Sequence, residues 1–290
     1  MKYVFAGSTS GTGHAVLLRL VSKIGTDHLI CLVRADSNIS PHKQLGVQCV
    51  QADITEPTSF EQLLDSNTVY IDMTHPKHYH RSLEVVMNRG VERAYFVTTT
   101  GIFSSYNHLS DIYKINEDKI RQSGLVYTIL RPSMIYGHAR DRNMSRLIRF
   151  LKRYPVYPLF NGGESLMQPV FFEDLADGIV NAINEKNTEN KEYNLCGPES
   201  IRYRKLIETI VVALGVKTKL INIPSSIAII GARVGSLIPG FPITVEQVLR
   251  LQEDKVFDIL KAVSELNYVP RTFKDGIELE IQVLQELDLL

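Results

Sequence analysis

The residues best suited to chemistry stand near the start of the chain, in a glycine-rich turn. The run from Gly7 to Gly13 has the sequence Gly-Ser-Thr-Ser-Gly-Thr-Gly, and it lies between a strand-like apolar segment and a helical pattern. Gly7 permits a tight turn out of the strand. Gly11 leaves room for a ligand to approach the backbone, and Gly13 lets the start of the helix pack on the sheet.

This turn predicts a binding site for a pyrophosphate group, and therefore for a nicotinamide dinucleotide. The amide groups at the start of a helix point toward an anion and carry the positive end of the helix dipole. Hydroxyl groups that could add hydrogen bonds belong to Ser8, Thr9, Ser10 and Thr12. The glycine spacing differs from the common G-x-G-x-x-G fingerprint, and an ordinary glycine-rich turn is the alternative.

The residue at the end of the second predicted strand indicates which nicotinamide cofactor fits. A carboxylate there would bind the adenosine ribose of NAD, but the strand ends at Val33 and Arg34. An arginine can pair with a ribose 2′-phosphate, so NADP is the expected cofactor. In the alternative, which selects NAD, Arg34 is a solvated loop residue and Asp36 binds the ribose.

A carboxylate also follows the third predicted strand. Asp53, next to Ile54, can accept a hydrogen bond from the adenine amino group, which places both residues in the predicted cofactor site. The alternative is a structural aspartate in the turn before Pro57.

These positions come together only if the strands form one parallel sheet. Short apolar runs alternate with amphipathic helical segments, which is typical of βαβ crossovers. The predicted strands are 2–6, 28–33, 47–51, 68–73, 94–99, 126–130 and 192–196. The predicted helices are 13–24, 78–88, 109–122, 143–153, 174–184, 203–214, 225–237, 245–254 and 273–287, with Asp174 as the N-cap of the fifth.

The expected fold is α/β: a Rossmann-type doubly wound parallel sheet with a smaller, mainly helical C-terminal lobe. Residues 1–198 are predicted to form the dinucleotide-binding domain, in which the segment of about 138–168 contributes to the substrate side. Residues 199–290 are predicted to form the smaller lobe on that side.

Composition narrows the classes of protein that the chain could belong to. Its 290 residues carry 32 basic and 32 acidic side chains, so a nucleic acid partner is not expected. The three scattered cysteines and the lack of a signal-like N-terminus favour a reducing cytoplasm. The longest apolar stretch, 227–238, is interrupted by Arg233 and is shorter than the roughly 20 residues of a membrane span, so we expect a buried helix and no membrane partner.

Several further motifs resemble one known family. Beside the glycine-rich turn, the matching stretches are 52–54 (Ala-Asp-Ile), 96–100 (Phe-Val-Thr-Thr-Thr), 123–125 (Ser-Gly-Leu), 130–137 (Leu-Arg-Pro-Ser-Met-Ile-Tyr-Gly), 168–170 with 174–176, and 193–195. The chain resembles the short-chain dehydrogenase/reductase superfamily, in particular its extended and atypical members of the NAD(P)-dependent epimerase/dehydratase type, which act on nucleotide sugars. The resemblance extends to about residue 200.

The resemblance implies roles for individual residues. It implies that Thr74 lies beside the cofactor ribose and that Pro132, with the residues up to Ile135, passes near the nicotinamide. It also implies that Thr99 or Thr100 stands where the family has its catalytic serine or threonine.

The sequence departs from the family at the acid–base pair. Family enzymes use a tyrosine and a lysine four residues later on one helix, and the lysine lowers the pKa of the tyrosine. Counting back from Glu117 and the Ser-Gly-Leu motif, the lysine position falls on Tyr113 and the tyrosine position on Leu109. A shifted helix could still bring Tyr113 to the nicotinamide, so it is kept as a catalytic candidate.

The substrate side offers weaker candidates. Arg142, Arg146, Arg149 and Arg153 occupy the polar face of one predicted helix, and Arg142 and Arg146 are candidates for binding an anionic substrate. A solvated helix face is the alternative. Gln168 follows a Gly-Gly loop and is a third substrate candidate, although the loop could be a simple turn.

No metal site is expected. Three histidines, His75, His78 and His80, cluster after the fourth strand, but no cysteine or acidic residue stands near them at ligand spacing.

The sequence thus predicts an NADP-dependent oxidoreductase or epimerase-like enzyme acting on a nucleotide sugar or a similar polar metabolite. The alternative is a non-catalytic NADP-binding regulator or scaffold, which the missing tyrosine–lysine pair favours. A homodimer through the helix around Glu117 is a further possibility.

Overall fold

A computed structural model of the chain describes residues 1–139, 141, 143–235 and 244–290. Its strands are β1 (Lys2–Ala6), β2 (Leu29–Val33), β3 (Gln48–Gln51), β4 (Thr68–Asp72), β5 (Arg93–Val97), β6 (Val126–Pro132), β7 (Ile135–Tyr136), β8 (Val156–Phe160), β9 (Leu166–Met167), β10 (Val170–Phe171), β11 (Lys191–Leu195), β12 (Ile201–Arg202) and β13 (Lys219–Ile223). Its helices are α1 (Gly11–Ile24), α2 (Ser40–Gln44), α3 (Tyr79–Asn88), α4 (Ser110–Gln122), α5 (Met144–Arg153), α6 (Phe172–Asn184), α7 (Tyr203–Ala213), α8 (Ser225–Gly235), α9 (Val245–Arg250), α10 (Leu260–Leu266) and α11 (Phe273–Glu286).

Seven parallel strands form the central sheet, in the order β11-β6-β5-β4-β1-β2-β3. The chain winds from β1 to β3 in one direction and from β4 to β11 in the other. The strand order therefore reverses between β1 and β4, which is where ligands bind in this class of fold. The Rossmann-type prediction is confirmed.

Side chains alternate between the two faces of the sheet, and each face has its own core. In β1, Phe5 packs against α1 and α6, whereas Val4 and Ala6 pack against the layer that contains α3 and α4. Helix α1 ends as predicted at Gly25, whose φ of 75° suits glycine.

A third core lies beside the carboxyl edge of the sheet. Buried side chains from α5, α7 and α11 pack together there with Tyr136 and Met167. Helix α11 approaches β7 closely at Gly276. A Cβ at this position would lie 2.1 Å from the Tyr136 hydroxyl. This core combines residues from both sides of position 198. The boundary between a dinucleotide-binding domain and a smaller lobe at residue 198 stays a prediction.

Two expectations about elements are wrong, and one strand pair was missed. Asp174 is not an N-cap, because α6 begins at Phe172 and the Asp174 carboxylate binds Arg271 instead. The parallel pair of β8 and β13 was not predicted. Helix α8 is not buried on its outer face, where Ile227 is 60% exposed, and residues 236 and 237 of the predicted helix lie outside the described residues.

Candidate functional site

The glycine-rich turn packs directly against the end of β4. Gly7 has a φ of 97°, and a Cβ there would lie 2.7 Å from the backbone of Met73. A Cβ at Gly13 would lie 2.0 Å from the carbonyl oxygen of Gly7. Both positions therefore require glycine, as the sequence predicted for a tight turn and a closely packed helix start.

The hydroxyl groups of the turn mostly serve the fold. The Ser10 hydroxyl caps α1 by accepting a hydrogen bond from the Gly13 amide at 2.9 Å. The Ser8 hydroxyl is buried and lies 2.9 Å from Nε2 of His42. Thr12 is also buried, so Thr9 is the hydroxyl residue of this turn that is exposed and has no capping role.

Two backbone amides at the start of α1 are available for a ligand. Among the described residues, the amides of Gly11 and Thr12 donate no hydrogen bond, since the cap at Ser10 satisfies Gly13 and His14. These two donors sit at the positive end of a 14-residue helix, next to the point where the strand order reverses. The arrangement fits a pyrophosphate group.

The sequence did not indicate that His138 lies over this turn. A Cβ at Gly11 would meet the imidazole ring of His138 at 2.9 Å. The space beside Gly11 is therefore occupied by a side chain that arrives from the segment after β7. His138 brings the segment after β7 into contact with the glycine-rich turn.

The adenosine end of the predicted site lies at the ends of β2 and β3. Arg34 is 71% exposed and pairs loosely with Asp36 at 3.5 Å. One oxygen of Asp53 accepts hydrogen bonds from the amide and hydroxyl of Thr55, at 2.8 and 2.7 Å. Asp53 therefore has the structural role in the turn before Pro57. These bonds and the positive charges of Arg34 and His78 hold the pKa of Asp53 below its usual value. Its neighbour, the predicted site residue Ile54, packs against the core under α3.

At the end of β4, a buried carboxylate organises the backbone. Asp72 accepts hydrogen bonds from the Thr74 amide and hydroxyl, from Tyr70 and from Ser82. Burial raises the pKa of Asp72 although these hydrogen bonds oppose the shift. Thr74 lies at the predicted edge of the site, but its hydroxyl proton is already donated to Asp72.

At the end of β5, two threonines differ in what they can do. The Thr99 hydroxyl accepts from the Gly101 amide at 3.0 Å, which leaves its own proton free to donate. The Thr100 hydroxyl is buried and donates to the carbonyl oxygen of Pro132 at 3.2 Å. Of the two catalytic candidates, Thr99 is the one with a proton to offer.

Tyr113 lies on α4 and faces the same edge. Its ring is buried and contacts the ring of His75 at 6.0 Å between centroids, and its hydroxyl has no hydrogen bond within the described residues. Burial raises the pKa of Tyr113, against the opposing positive charge of Arg250. Leu109 precedes the first turn of α4, so the family's tyrosine position holds an apolar side chain.

A buried ion-pair network fixes α4 to the sheet. Glu117 is 1% exposed and accepts hydrogen bonds from Thr98, Arg121 and Arg131. The two arginines also bind Glu192 on β11. Burial alone would raise the pKa of Glu192, but the hydrogen bonds from Arg121 and Arg131 prevail and lower it to about 2.

The substrate-side candidates are only partly brought to the site. Gln168 is buried, and both ends of its amide are bound, to the Gly197 carbonyl at 2.8 Å and the Phe257 amide at 2.7 Å. Arg146 is exposed on α5. Arg142 lies outside the described residues.

A polar cavity of about 470 Å³ opens between the start of α4 and α9. Its lining includes Ser104, Tyr106, His108, Asp111, Lys114 and Glu246. His108 and Glu246 lie 2.9 Å apart, so α9 closes one side of the cavity. The cavity lies at the first turns of α4, the helix that also carries Tyr113. No local sequence pattern could indicate this cavity, because its two walls are more than a hundred residues apart in the chain.

Two family matches cover most of the chain. The NAD(P)H-binding family matches residues 7–150, and the NAD dependent epimerase/dehydratase family matches residues 110–196. Together the two matches show that residues 7–196 carry NAD(P)H-binding and epimerase/dehydratase-type domains, in agreement with the predicted resemblance.

Individual relatives are distant. A Dictyostelium discoideum protein, NADH dehydrogenase (ubiquinone) 1 alpha subcomplex subunit 9, mitochondrial, is 25% identical over 237 residues, which cover 76% of this chain and 65% of that protein. The chain thus spans less than two thirds of the length of the first curated relatives that it matches.

Solved structures share the fold. An NADPH-dependent quinone oxidoreductase from Escherichia coli, complexed with NADPH, has a TM-score of 0.76 at 18% identity, covering 95% of this chain and 98% of that one. A UDP-glucose 4-epimerase from Thermotoga maritima, with UDP-glucose, has a TM-score of 0.75 at 14% identity, covering 99% of each chain. No helix within the described residues is long and apolar enough to cross a bilayer.

Proposed function

We propose that the protein is an NADP(H)-dependent oxidoreductase that transfers a hydride to or from a small polar metabolite. One observation carries the proposal: two free amides at the start of α1 stand at the reversal of strand order, with Arg34 at the end of the neighbouring strand. The amides suit a pyrophosphate, and a freely exposed guanidinium suits a ribose 2′-phosphate.

The cofactor, when bound, supplies or accepts the hydride. The chain must hold it and manage the proton that accompanies the hydride. In the direction of reduction, a carbonyl carbon gains the hydride and its oxygen gains a proton. Thr99 can give that proton and regain one from water, since its hydroxyl accepts from the Gly101 amide and keeps its hydrogen. The Thr100 hydroxyl stabilises the carboxyl edge of the sheet, because its hydrogen bond to the Pro132 carbonyl oxygen connects the end of β5 to the end of β6.

Two substrate classes have support. The polar cavity combines hydroxyl groups with the paired charges of Lys114 and Asp111 and of His108 and Glu246, which suits a hydroxylated molecule, so nucleotide sugars are the first class to test. Similarity in fold to the UDP-glucose 4-epimerase agrees with this class. Arg146 would be a candidate for the diphosphate.

Quinones are the second class. Phe103 lies four residues after Thr99, is 54% exposed, and its ring lies 5.8 Å from that of Phe257. The exposed ring of Phe103, backed by the half-buried ring of Phe257, can stack on a planar acceptor. Reduction of a quinone also requires no base on the protein, which agrees with the apolar Leu109 at the family's tyrosine position.

The test is oxidation of NADPH by the purified protein with a panel of nucleotide sugars and quinones, followed by NADPH absorbance. We expect turnover with one class, and slower turnover in Thr99→Val, which keeps the shape of the side chain but has no proton. Tight NADPH binding without turnover across the panel would support the non-catalytic regulator instead. Failure to bind any nicotinamide dinucleotide would overturn the proposal entirely.

A further inference from the structure

The path of the cofactor follows from the order of the strands. With the pyrophosphate at the start of α1, the adenosine half extends over the ends of β2 and β3, where Arg34 and Asp53 lie. The nicotinamide half must then extend in the other direction, across β4 and β5. Neighbouring strands are about 4.8 Å apart, so a ribose covers the ends of these two strands.

Most polar side chains at the ends of β4 and β5 are already engaged within the protein. Five of these side chains donate a hydrogen bond to another group of the described chain: Thr74, Tyr79, Thr98, Thr100 and Asn116. Thr99 keeps a proton for the substrate, as argued above. The Tyr113 hydroxyl and Nε2 of His75 have no hydrogen bond within the described residues.

The loop geometry determines which ring nitrogen of His75 is a donor. His75 is the N-cap of a short 3-10 turn, and its Nδ1 accepts a hydrogen bond from the Lys77 amide at 3.3 Å. Burial, followed by the charges of Lys77 and His78, lowers the pKa of His75, which favours the neutral ring. With Nδ1 accepting, the proton of a neutral ring sits on Nε2.

The structure also holds the two donors together. Asn116 on α4 donates to the carbonyl oxygen of Pro76 at 2.7 Å, which fastens the loop of His75 to the helix of Tyr113. The two rings are in contact, with centroids 6.0 Å apart. Two open donors on neighbouring rings match the vicinal hydroxyl groups of a ribose.

We infer that His75 and Tyr113 form a clamp on the ribose of the nicotinamide half, in which Nε2 of His75 and the Tyr113 hydroxyl bind the two ribose hydroxyls. His75 is then a positioning residue for hydride transfer, in the histidine cluster for which the sequence predicted no metal. The inference rests on the proposed binding of NADP(H).

The experiment compares two ligands by calorimetry. NADPH contains the second ribose, whereas adenosine 2′,5′-bisphosphate retains the adenosine end and has no nicotinamide half. We expect His75→Ala and Tyr113→Phe each to weaken NADPH binding about 3- to 10-fold, which is the range for loss of one hydrogen bond. Binding of the bisphosphate should stay within about 2-fold of the wild type. His75→Gln, whose amide nitrogen can replace Nε2, should restore most of the affinity.

His28→Ala is the matched control, because His28 is also exposed but stands at the amino end of β2, on the opposite edge of the sheet. Wild-type affinity for NADPH in His75→Ala would overturn the clamp. An equal loss for both ligands would also overturn it, since that pattern indicates a distorted loop. If the wild type binds neither ligand, the proposed function fails first and the clamp fails with it.

Discussion

Arg34 is the residue on which the choice between the two nicotinamide cofactors depends. Its only ion pair within the described chain is loose, 3.5 Å to Asp36, and both side chains are more than 70% exposed. Such a pair contributes little to stability, so the guanidinium can turn to a phosphate at small cost. A charge-assisted hydrogen bond to a 2′-phosphate would then separate NADPH from NADH.

Replacement of Arg34 should therefore affect one cofactor and spare the other. We expect Arg34→Ala to weaken NADPH binding about 10-fold or more and NADH binding less than about 2-fold. Titration calorimetry with both cofactors measures this. Arg202→Ala is the control, because Arg202 has a similarly exposed pair, 3.4 Å to Glu164, far along the chain. Equal wild-type affinities for NADPH and NADH would contradict the preference for NADP.

Gly13 offers a second test, of the turn itself. A Cβ at this position would lie 2.0 Å from the Gly7 carbonyl oxygen and 2.8 Å from the hydroxyl that caps α1. Because the nearest atom is backbone, the helix start must shift, and we expect Gly13→Ala to lower the free energy of unfolding by about 2 kcal/mol or more. Denaturant titration measures the loss.

The matched control is another helical glycine with open space around it. Outside the neighbouring backbone of its own helix, no atom of the described residues lies within 4 Å of a Cβ built at Gly231. Gly231→Ala should stabilise the protein by about 0.5–1 kcal/mol, since alanine costs less conformational entropy in a helix. Equal effects of the two substitutions would mean that Gly13 is not closely packed.

Single residues also mark where sequence reasoning stopped. The sequence predicted the turn role of the glycines and the position of Arg34, because both follow from neighbours in the chain and from where a strand ends. It could not predict that His42, 34 residues from Ser8, takes up the Ser8 hydroxyl. Nor could it predict that Gly197 and Phe257 bind both ends of the Gln168 amide.

Among the elements, α4 carries the part of the site that is least like its family. The helix presents Tyr113 to the edge, and one turn later Glu117 binds the sheet. The strict spacing of four residues places both on the same face. Any loosening of Glu117 should therefore also displace Tyr113.

Removal of the Glu117 charge tests this coupling. Glu117→Gln leaves Arg131 buried with Glu192 as its remaining partner, and removal of one member of a buried ion pair costs about 3–5 kcal/mol. We expect a loss near the lower end of that range, together with weaker NADPH binding. Urea unfolding and calorimetry measure the two effects. Asp118→Asn, on the exposed side of α4, should cost less than about 1 kcal/mol.

Elements whose partners are distant in sequence were the ones mispredicted. Asp174 fits an N-cap pattern, but Arg271 binds its carboxylate from 97 residues away, and α6 starts two residues earlier. Strand β13 is short and mostly polar or exposed. Within the described part of the chain it pairs with β8 alone, so no local pattern distinguishes it from a loop. The central strands were predicted because burial on both faces makes them continuously apolar.

At the scale of the whole molecule, the C-terminal helix is connected to the cofactor turn through one buried carboxyl group. Glu280 on α11 is fully buried and accepts a hydrogen bond from the Gly137 amide at 3.0 Å. The next residue, His138, covers Gly11 in the turn. The neighbouring Asp141 caps the start of α5. Glu280 thus lies where α11, the segment after β7 and the glycine-rich turn meet.

Burial, followed by the proximity of Asp141, raises the pKa of Glu280 to about 10. The folded protein therefore keeps this proton at neutral pH, while the unfolded chain loses it near the ordinary value of 4.5. Because the folded state binds more protons between these two values, this group makes stability fall as the pH rises. The slope from one proton is at most about 1.4 kcal/mol per pH unit.

Glu280→Gln should remove this dependence, since glutamine keeps the acceptor for Gly137 and has no acidic proton. The variant should match the wild type in thermal unfolding near pH 5 and exceed it increasingly toward about pH 9, in the direction that proton linkage requires. Glu278→Gln, two residues away and exposed on the same helix, should follow the wild type throughout. If the wild type and Glu280→Gln had parallel stability curves, Glu280 would be ionised in the fold. A buried carboxylate would then need a positive partner, and the connection from α11 to the turn would be an ion pair rather than a neutral hydrogen bond.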